Sequence, residues 1–134
     1  MRVLIVEDDF TARKLLQAYL REYFECDVAV NGKEAVQAFR DAIAKDKSYD
    51  LITMDVSMPE MNGQQALKEI RDIETEYNVD FGDGTKVIMT TAFNDKDNVM
   101  LAFRLGCESY LVKPVSKTKL FNEIDKLGLL QLSE

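Results

Sequence analysis

Tyr49 to Gly63 reads YDLITMDVSMPEMNG. Leu51, Ile52 and Met54 form a short apolar run that ends on a carboxylate, Asp55, and Pro59 and Gly63 soon mark a loop. That is the pattern of a buried strand delivering an acid to a loop mouth. In open α/β sheets, ligands and chemistry gather in the crevice beyond the carboxyl ends of the strands, so Asp55 is the first candidate for function. The plain alternative is an acid that caps a turn.

Outward from this stretch the same pattern recurs. Arg2 to Val6 is an apolar run ending on Glu7, Asp8 and Asp9, and Cys26 to Val30 is a modest strand punctuated by Asn31-Gly32. Val87 to Met89 ends on Thr90 and Thr91, and Ser109 to Val112 ends on Lys113-Pro114. Between these strands, apolar residues recur at helical spacing. Ala12, Leu15, Leu16, Tyr19, Leu20 and Tyr23 predict one buried stripe, and Ala35, Val36, Phe39 and Ile43 a second, with Asn31 as its N-cap. Gln64 to Tyr77 carries Ala66, Leu67, Ile70 and Ile73. A fourth helix, capped by Asn94 or Asp95, carries Val99, Ala102 and Phe103 up to Gly106. Leu120, Phe121, Ile124 and Leu127 line the last. Five strands alternating with five helices over short connections require a parallel sheet covered on both faces. The segment YNVDFGDGTK at Tyr77 to Lys86 reads as an exposed turn, and Gly128 to Glu134 as a tail with little to hold it.

The 134 residues, 46% of them hydrophobic, fit one domain, with a core over 1–127 and a short tail over 128–134. On this length no second effector domain and no DNA-binding segment are expected. A formal net charge of -7 disfavours nucleic acid and anionic membrane surfaces, so partners are expected to be proteins or cations. MRVLIVEDD is too short in its apolar run for a signal peptide, and no run reaches the length of a membrane span. Cys26 and Cys107 lie in apolar-periodic segments without metal-type spacing and read as reduced core thiols of a cytoplasmic chain. The sequence contains no histidine, which excludes His-based triads, His-ligated metals and phosphohistidine on this chain.

A parallel sheet brings its strand ends to one edge, so Glu7, Asp8, Asp55, Thr91 and Lys113 converge. Three carboxylates in one place repel, and a divalent cation removes that conflict. Hard oxygen ligands without His or paired Cys favour Mg²⁺. A lysine offers a point charge to phosphate and a threonine hydroxyl donates to one more oxygen, which together suit phosphoryl transfer to a carboxylate nucleophile.

VEDD at Val6 to Asp9, MDVSMPEMNG at Met54 to Gly63, TTA at Thr90 to Ala92 and YLVKP at Tyr110 to Pro114 together resemble the receiver domain of two-component response regulators, the CheY-like family. The resemblance covers roughly 1–127. It implies a flavodoxin-like (βα)5 doubly wound sandwich with strand order 2-1-3-4-5. It also implies that Asp55 is the phosphoacceptor, taking its phosphoryl group from a phosphohistidine on a sensor histidine kinase or a histidine phosphotransfer protein. Asp8 then ligates Mg²⁺ directly, Glu7 partly through water, and the backbone carbonyl of Ser57 adds a ligand. Thr91 is the switch hydroxyl, Tyr110 the aromatic that turns inward, and Lys113 the phosphate-binding lysine before a cis proline. Asp9 reads as a loop or capping acid.

On this resemblance the chain is a phosphorylation-dependent switch, not an enzyme acting on other substrates. Its output is protein association through the face formed by the fourth helix, last strand and last helix, in a chemotaxis-type pathway or a phosphorelay. Ser57 and Phe93 occupy the two positions that tune dephosphorylation, and bulky Phe93 is expected to shield the phosphoryl group and slow hydrolysis. Two readings compete with this one. The first is an aspartate-nucleophile phosphatase of the haloacid-dehalogenase type, which would need a second Asp where Ser57 stands. The second is a receiver fold used as a phosphorylation-independent scaffold.

Overall fold

The protein is described from a computed structural model over residues 1–80, 82–92 and 96–130. Five strands alternate with five helices in chain order: β1 Arg2–Val6, α1 Phe10–Leu20, β2 Glu25–Ala29, α2 Gly32–Ala44, β3 Leu51–Asp55, α3 Gly63–Glu76, β4 Lys86–Thr91, α4 Lys96–Arg104, β5 Ser109–Val112 and α5 Lys117–Lys126. All pairings are parallel and the strand order is 2-1-3-4-5. The flavodoxin-like arrangement expected from the sequence is therefore the one the chain adopts.

Alternation along the strands divides the interior in two. Leu4, Val6, Ile52, Met54, Val87 and Met89 pack with Phe39, Leu67 and Ile70 under α2 and α3. Val3, Ile5, Leu51 and Ile88 pack with Leu16, Leu20, Leu120 and Ile124 under α1 and α5. β3 is buried along its whole length because it has strands on both sides and helices on both faces. Its apolar run is the consequence.

Side chains at the helix N-termini hold the connections on the active edge short. Asp9 accepts from Ala12 N, Asn31 from Glu34 N and Ser116 from Lys119 N, so the capping roles foreseen for Asp9 and Asn31 are those observed. Asn62 and Gln65 form a reciprocal capping box that starts α3 at Gly63.

Several expectations need correction. α1 ends at Leu20, and only Leu16 and Leu20 of its stripe are fully buried, while Leu15 and Tyr23 are exposed. An eleven-residue helix crossing a twisted sheet presents a narrower face to it than six apolar residues suggest. On α4 Ala102 is buried but Phe103 is exposed. Cys107 is buried and Cys26 half-buried, and both are free thiols. The Tyr77 to Lys86 segment is not simply an exposed turn. Thr85 is buried and its N–H donates to the Glu74 carboxylate at 2.8 Å. The tail is held as far as Leu130, since Leu129 and Leu130 pack against the α1/α5 core. The Asn94 or Asp95 cap lies outside the described residues. No helix among the described residues is long and apolar enough to cross a membrane.

Candidate functional site at the carboxyl edge of the sheet

β1 and β3 are neighbours in register, and each carries an acid just at or beyond its last residue. Odd-numbered positions of β1 and β3 face α1 and α5, so Glu7 and Asp55 leave the sheet on the same side. Glu7 is fully buried, Asp55 is 4% exposed and Asp8 is exposed. One carboxylate oxygen from each of the three lies within 4.8 Å of the others. Lys113 reaches in from the end of β5, its Nζ 2.6 Å from Glu7 Oε1 and 3.4 Å from Asp55 Oδ2. Among the described residues Glu7 Oε1 has no hydrogen-bond partner of good geometry, and the Lys113 ammonium at 2.6 Å compensates its charge. Glu7 Oε2 accepts from Asp9 N at 3.1 Å.

The charge balance is uneven. Burial, then the hydrogen bond and charge of Glu7, push the Asp55 carboxyl up to about 7, and Lys113 opposes this only in part. Burial works against the Lys113 ammonium, but its contacts with Glu7 and Asp55 outweigh that and raise its pKa. One ammonium thus faces three carboxylates. A hard divalent cation such as Mg²⁺ fits this donor set, and Glu7, Asp8 and Asp55 would hold it.

Backbone bonds and close packing hold the loop after Asp55. Val56 N donates to Thr90 O and Gly63 N to Val56 O, both at 2.9 Å, which places the Ser57 backbone in a braced turn while its side chain faces solvent. A Cβ at Gly63 would stand 2.1 Å from Asp55 O, so only glycine fits there. Gly32 N donates to Met61 O at 3.0 Å, tying the loop to the start of α2.

Thr91 is buried at the end of β4, and Thr91 and Tyr110 project to the α3/α4 side, where Tyr110 is half-buried against the core. Lys113 and the acids leave on the other side. The site therefore takes groups from both faces of one sheet edge. The Lys113-Pro114 peptide is cis, as foreseen. Phe93 lies outside the described residues. Arg13 was not singled out from the sequence, yet its Nη1 donates to the Glu7 carbonyl at 3.0 Å. Its position four residues after the Asp9 cap, one turn into α1, was the available signal.

Residues 3–125 match the family described as the response regulator receiver domain, and the chain belongs to that family. It is a signalling phosphoacceptor domain of the CheY type. The chain is 32% identical to the chemotaxis protein CheY of Thermotoga maritima over 95% of its own length and 97% of that protein. It covers only 24% to 42% of several longer regulatory proteins that it also matches. Among solved structures it resembles the CheX-CheY-BeF3-Mg complex from Borrelia burgdorferi, with a TM-score of 0.79 and 28% identity over 97% of this chain and 90% of that one. It also resembles the complex of the Saccharomyces cerevisiae phosphotransfer protein Ypd1 with the receiver domain of Ssk1. There the TM-score is 0.80, with 33% identity over 96% of this chain and 88% of that one.

Proposed function

We propose that Asp55 is the phosphoacceptor of a single receiver domain spanning 1–134, and that phosphorylation there switches binding to a protein partner. The observation that carries this is the cluster of three carboxylate oxygens within 4.8 Å opposed by one ammonium. Glu7, Asp8, Asp55 and the Ser57 backbone carbonyl would hold Mg²⁺. Bound there, Mg²⁺ would neutralise the acids and the phosphoryl oxygens.

The Asp55 carboxylate is the nucleophile, and a bound Mg²⁺ would favour its ionised form. One of its oxygens forms the new O–P bond while the N–P bond of a partner's phosphohistidine breaks and its electron pair returns to the imidazole. Lys113, already 3.4 Å from Asp55, turns its charge to a phosphoryl oxygen, and the Thr91 hydroxyl donates to another. Movement of Thr91 frees space on the face it shares with Tyr110. Tyr110 then turns inward and reshapes the α4, β5 and α5 surface. Exposed Met100, Leu101, Phe103 and Val112 on α4 and β5 give that surface an apolar character suited to a protein partner.

The donor is a sensor histidine kinase or a histidine phosphotransfer protein, a reading supported by the Ypd1 complex of a similar receiver. The two free thiols fit a reducing cytoplasm. Ser57 and Phe93 set the lifetime of the phosphoryl group. The phosphatase alternative lacks its acid, because Ser57 stands two residues after Asp55. Phosphotransfer from candidate kinases in Mg²⁺, read by intact mass and partner pull-down, tests the proposal. Parent protein gains one phosphoryl group and changes partner affinity, and Asp55→Asn does neither. A stable phosphoryl group on Asp55→Asn overturns the assignment, and equal partner affinity for both forms supports the scaffold alternative instead.

A further inference from the structure

The turn that carries Glu7 and Asp8 is fixed from three directions. At its start, Glu7 N donates to Ala29 O at 3.0 Å and keeps the ladder going one residue past β1. At its end, Asp9 begins α1, its carboxylate taking Ala12 N at 2.8 Å and its carbonyl Arg13 N at 2.9 Å. The third direction is that of the Arg13 side chain, which folds back from the first turn of α1 so that Nη1 reaches the Glu7 carbonyl at 3.0 Å. The half-buried guanidinium is flanked by the Phe10 ring, 5.5 Å from its centroid. Asp8 has an exposed side chain, so the backbone of this turn decides where its carboxylate stands relative to Glu7 and Asp55.

We propose that Arg13 is a positioning residue for the metal-binding acids: it locks the Glu7 carbonyl and so aims Asp8 at the cation. The inference rests on the Mg²⁺ site proposed above. Two effects of Arg13 on that site have opposite signs. Its positive charge repels a divalent cation, so on charge alone its removal tightens Mg²⁺ binding. Its hydrogen bond orders the ligand-bearing turn, so on positioning its removal weakens binding. Outer-shell partners of metal ligands change affinity by about 10- to 100-fold when lost, whereas a charge partly open to solvent is screened and changes it less. Positioning wins.

Titration calorimetry with Mg²⁺ separates the two. Arg13→Ala is expected to bind Mg²⁺ about tenfold more weakly than the parent, Arg13→Lys to recover part of the loss, and Lys14→Ala, whose ammonium lies over the same Phe10 ring, to match the parent. Arg13→Gln carries the same comparison if the Ala variant does not fold. Phosphorylation by a small acyl phosphate should slow at limiting Mg²⁺ and return near the parent rate at saturating Mg²⁺. Equal or tighter Mg²⁺ binding by folded Arg13→Ala overturns the inference and leaves the proposed site standing. A parent protein that binds no Mg²⁺ overturns the site and the inference with it.

Discussion

The two edges of the sheet both bury carboxylates, and they treat them differently. At the amino edge Arg71 spends its guanidinium completely. Nη1 meets Glu74 at 2.7 Å and Thr85 O at 2.9 Å, and Nη2 meets Gly106 O at 2.7 Å and Glu108 at 2.9 Å. Glu74 also takes Thr85 N and Glu108 takes Val87 N, so each acid has both a cation and a backbone donor. Nearby, Asp27 accepts from Tyr49 and from Arg2, whose guanidinium stacks on the Tyr49 ring. At the carboxyl edge three acids cluster, Lys113 pairs with Glu7 and Asp55, and Asp55 is pushed up to about 7. At the amino edge one guanidinium serves two carboxylates, but each carboxylate is matched with hydrogen-bond donors, and that ties the strands together. Mismatched charge is held in place by the rest of the fold, as the proposed cation and phosphoryl group would require.

The largest effect should come from breaking the matched edge. Arg71→Ala leaves Glu74 buried without its cation and is expected to cost about 3–5 kcal/mol in urea unfolding. A loss below about 1 kcal/mol would erase the contrast between the edges. Next, Gly63→Ala drives a methyl group against Asp55 O, 2.1 Å from its ideal position, and is expected to cost about 1–3 kcal/mol and to weaken Mg²⁺ binding. Relieving the mismatched edge should act in the other direction. Asp55→Asn removes a repelled carboxylate, and without Mg²⁺ at pH 7 to 8 it is expected to stabilise the fold by less than the roughly 4 kcal/mol set by the shift, since the contact to Lys113 is lost with it. The smallest change belongs to a pair at neither edge. Lys68→Ala breaks an exposed contact to Asp72 and should move stability by less than about 0.5 kcal/mol.

The carboxyl edge was legible in the sequence because a strand hands over its acid locally. Asp55, Glu7, Asp8 and Lys113 each follow an apolar run, and a parallel sheet with short connections then has to gather them. The amino edge was not legible. Arg71 meets Gly106 and Glu108 from 35 and 37 residues away, and no local pattern marks an arginine in an amphipathic helix as the one that turns inward. Glu74 was hidden for the same reason, so the segment ahead of β4 read as an exposed turn, although Gly84 packs so closely on that carboxylate that a Cβ would force it to shift. Helical periodicity located α1 and α4 but overstated how much of each is covered, since Leu15 and Phe103 end in solvent.

The charge mismatch at the carboxyl edge makes stability depend on pH. A carboxyl whose pKa rises on folding, from 3.8 to about 7 for Asp55, binds its proton more tightly in the native state. Stability then falls as pH rises through that window and is unaffected by this group below it. Thermal unfolding should be followed from pH 4 to 8, in chelator and in Mg²⁺, for the parent and for Asp55→Asn. The parent in chelator should lose stability steadily between about pH 4 and 7 and recover it in Mg²⁺, while Asp55→Asn shows a flatter profile and far less response to the metal. A parent profile with no fall across that window, or Mg²⁺ raising both proteins equally, would contradict the account.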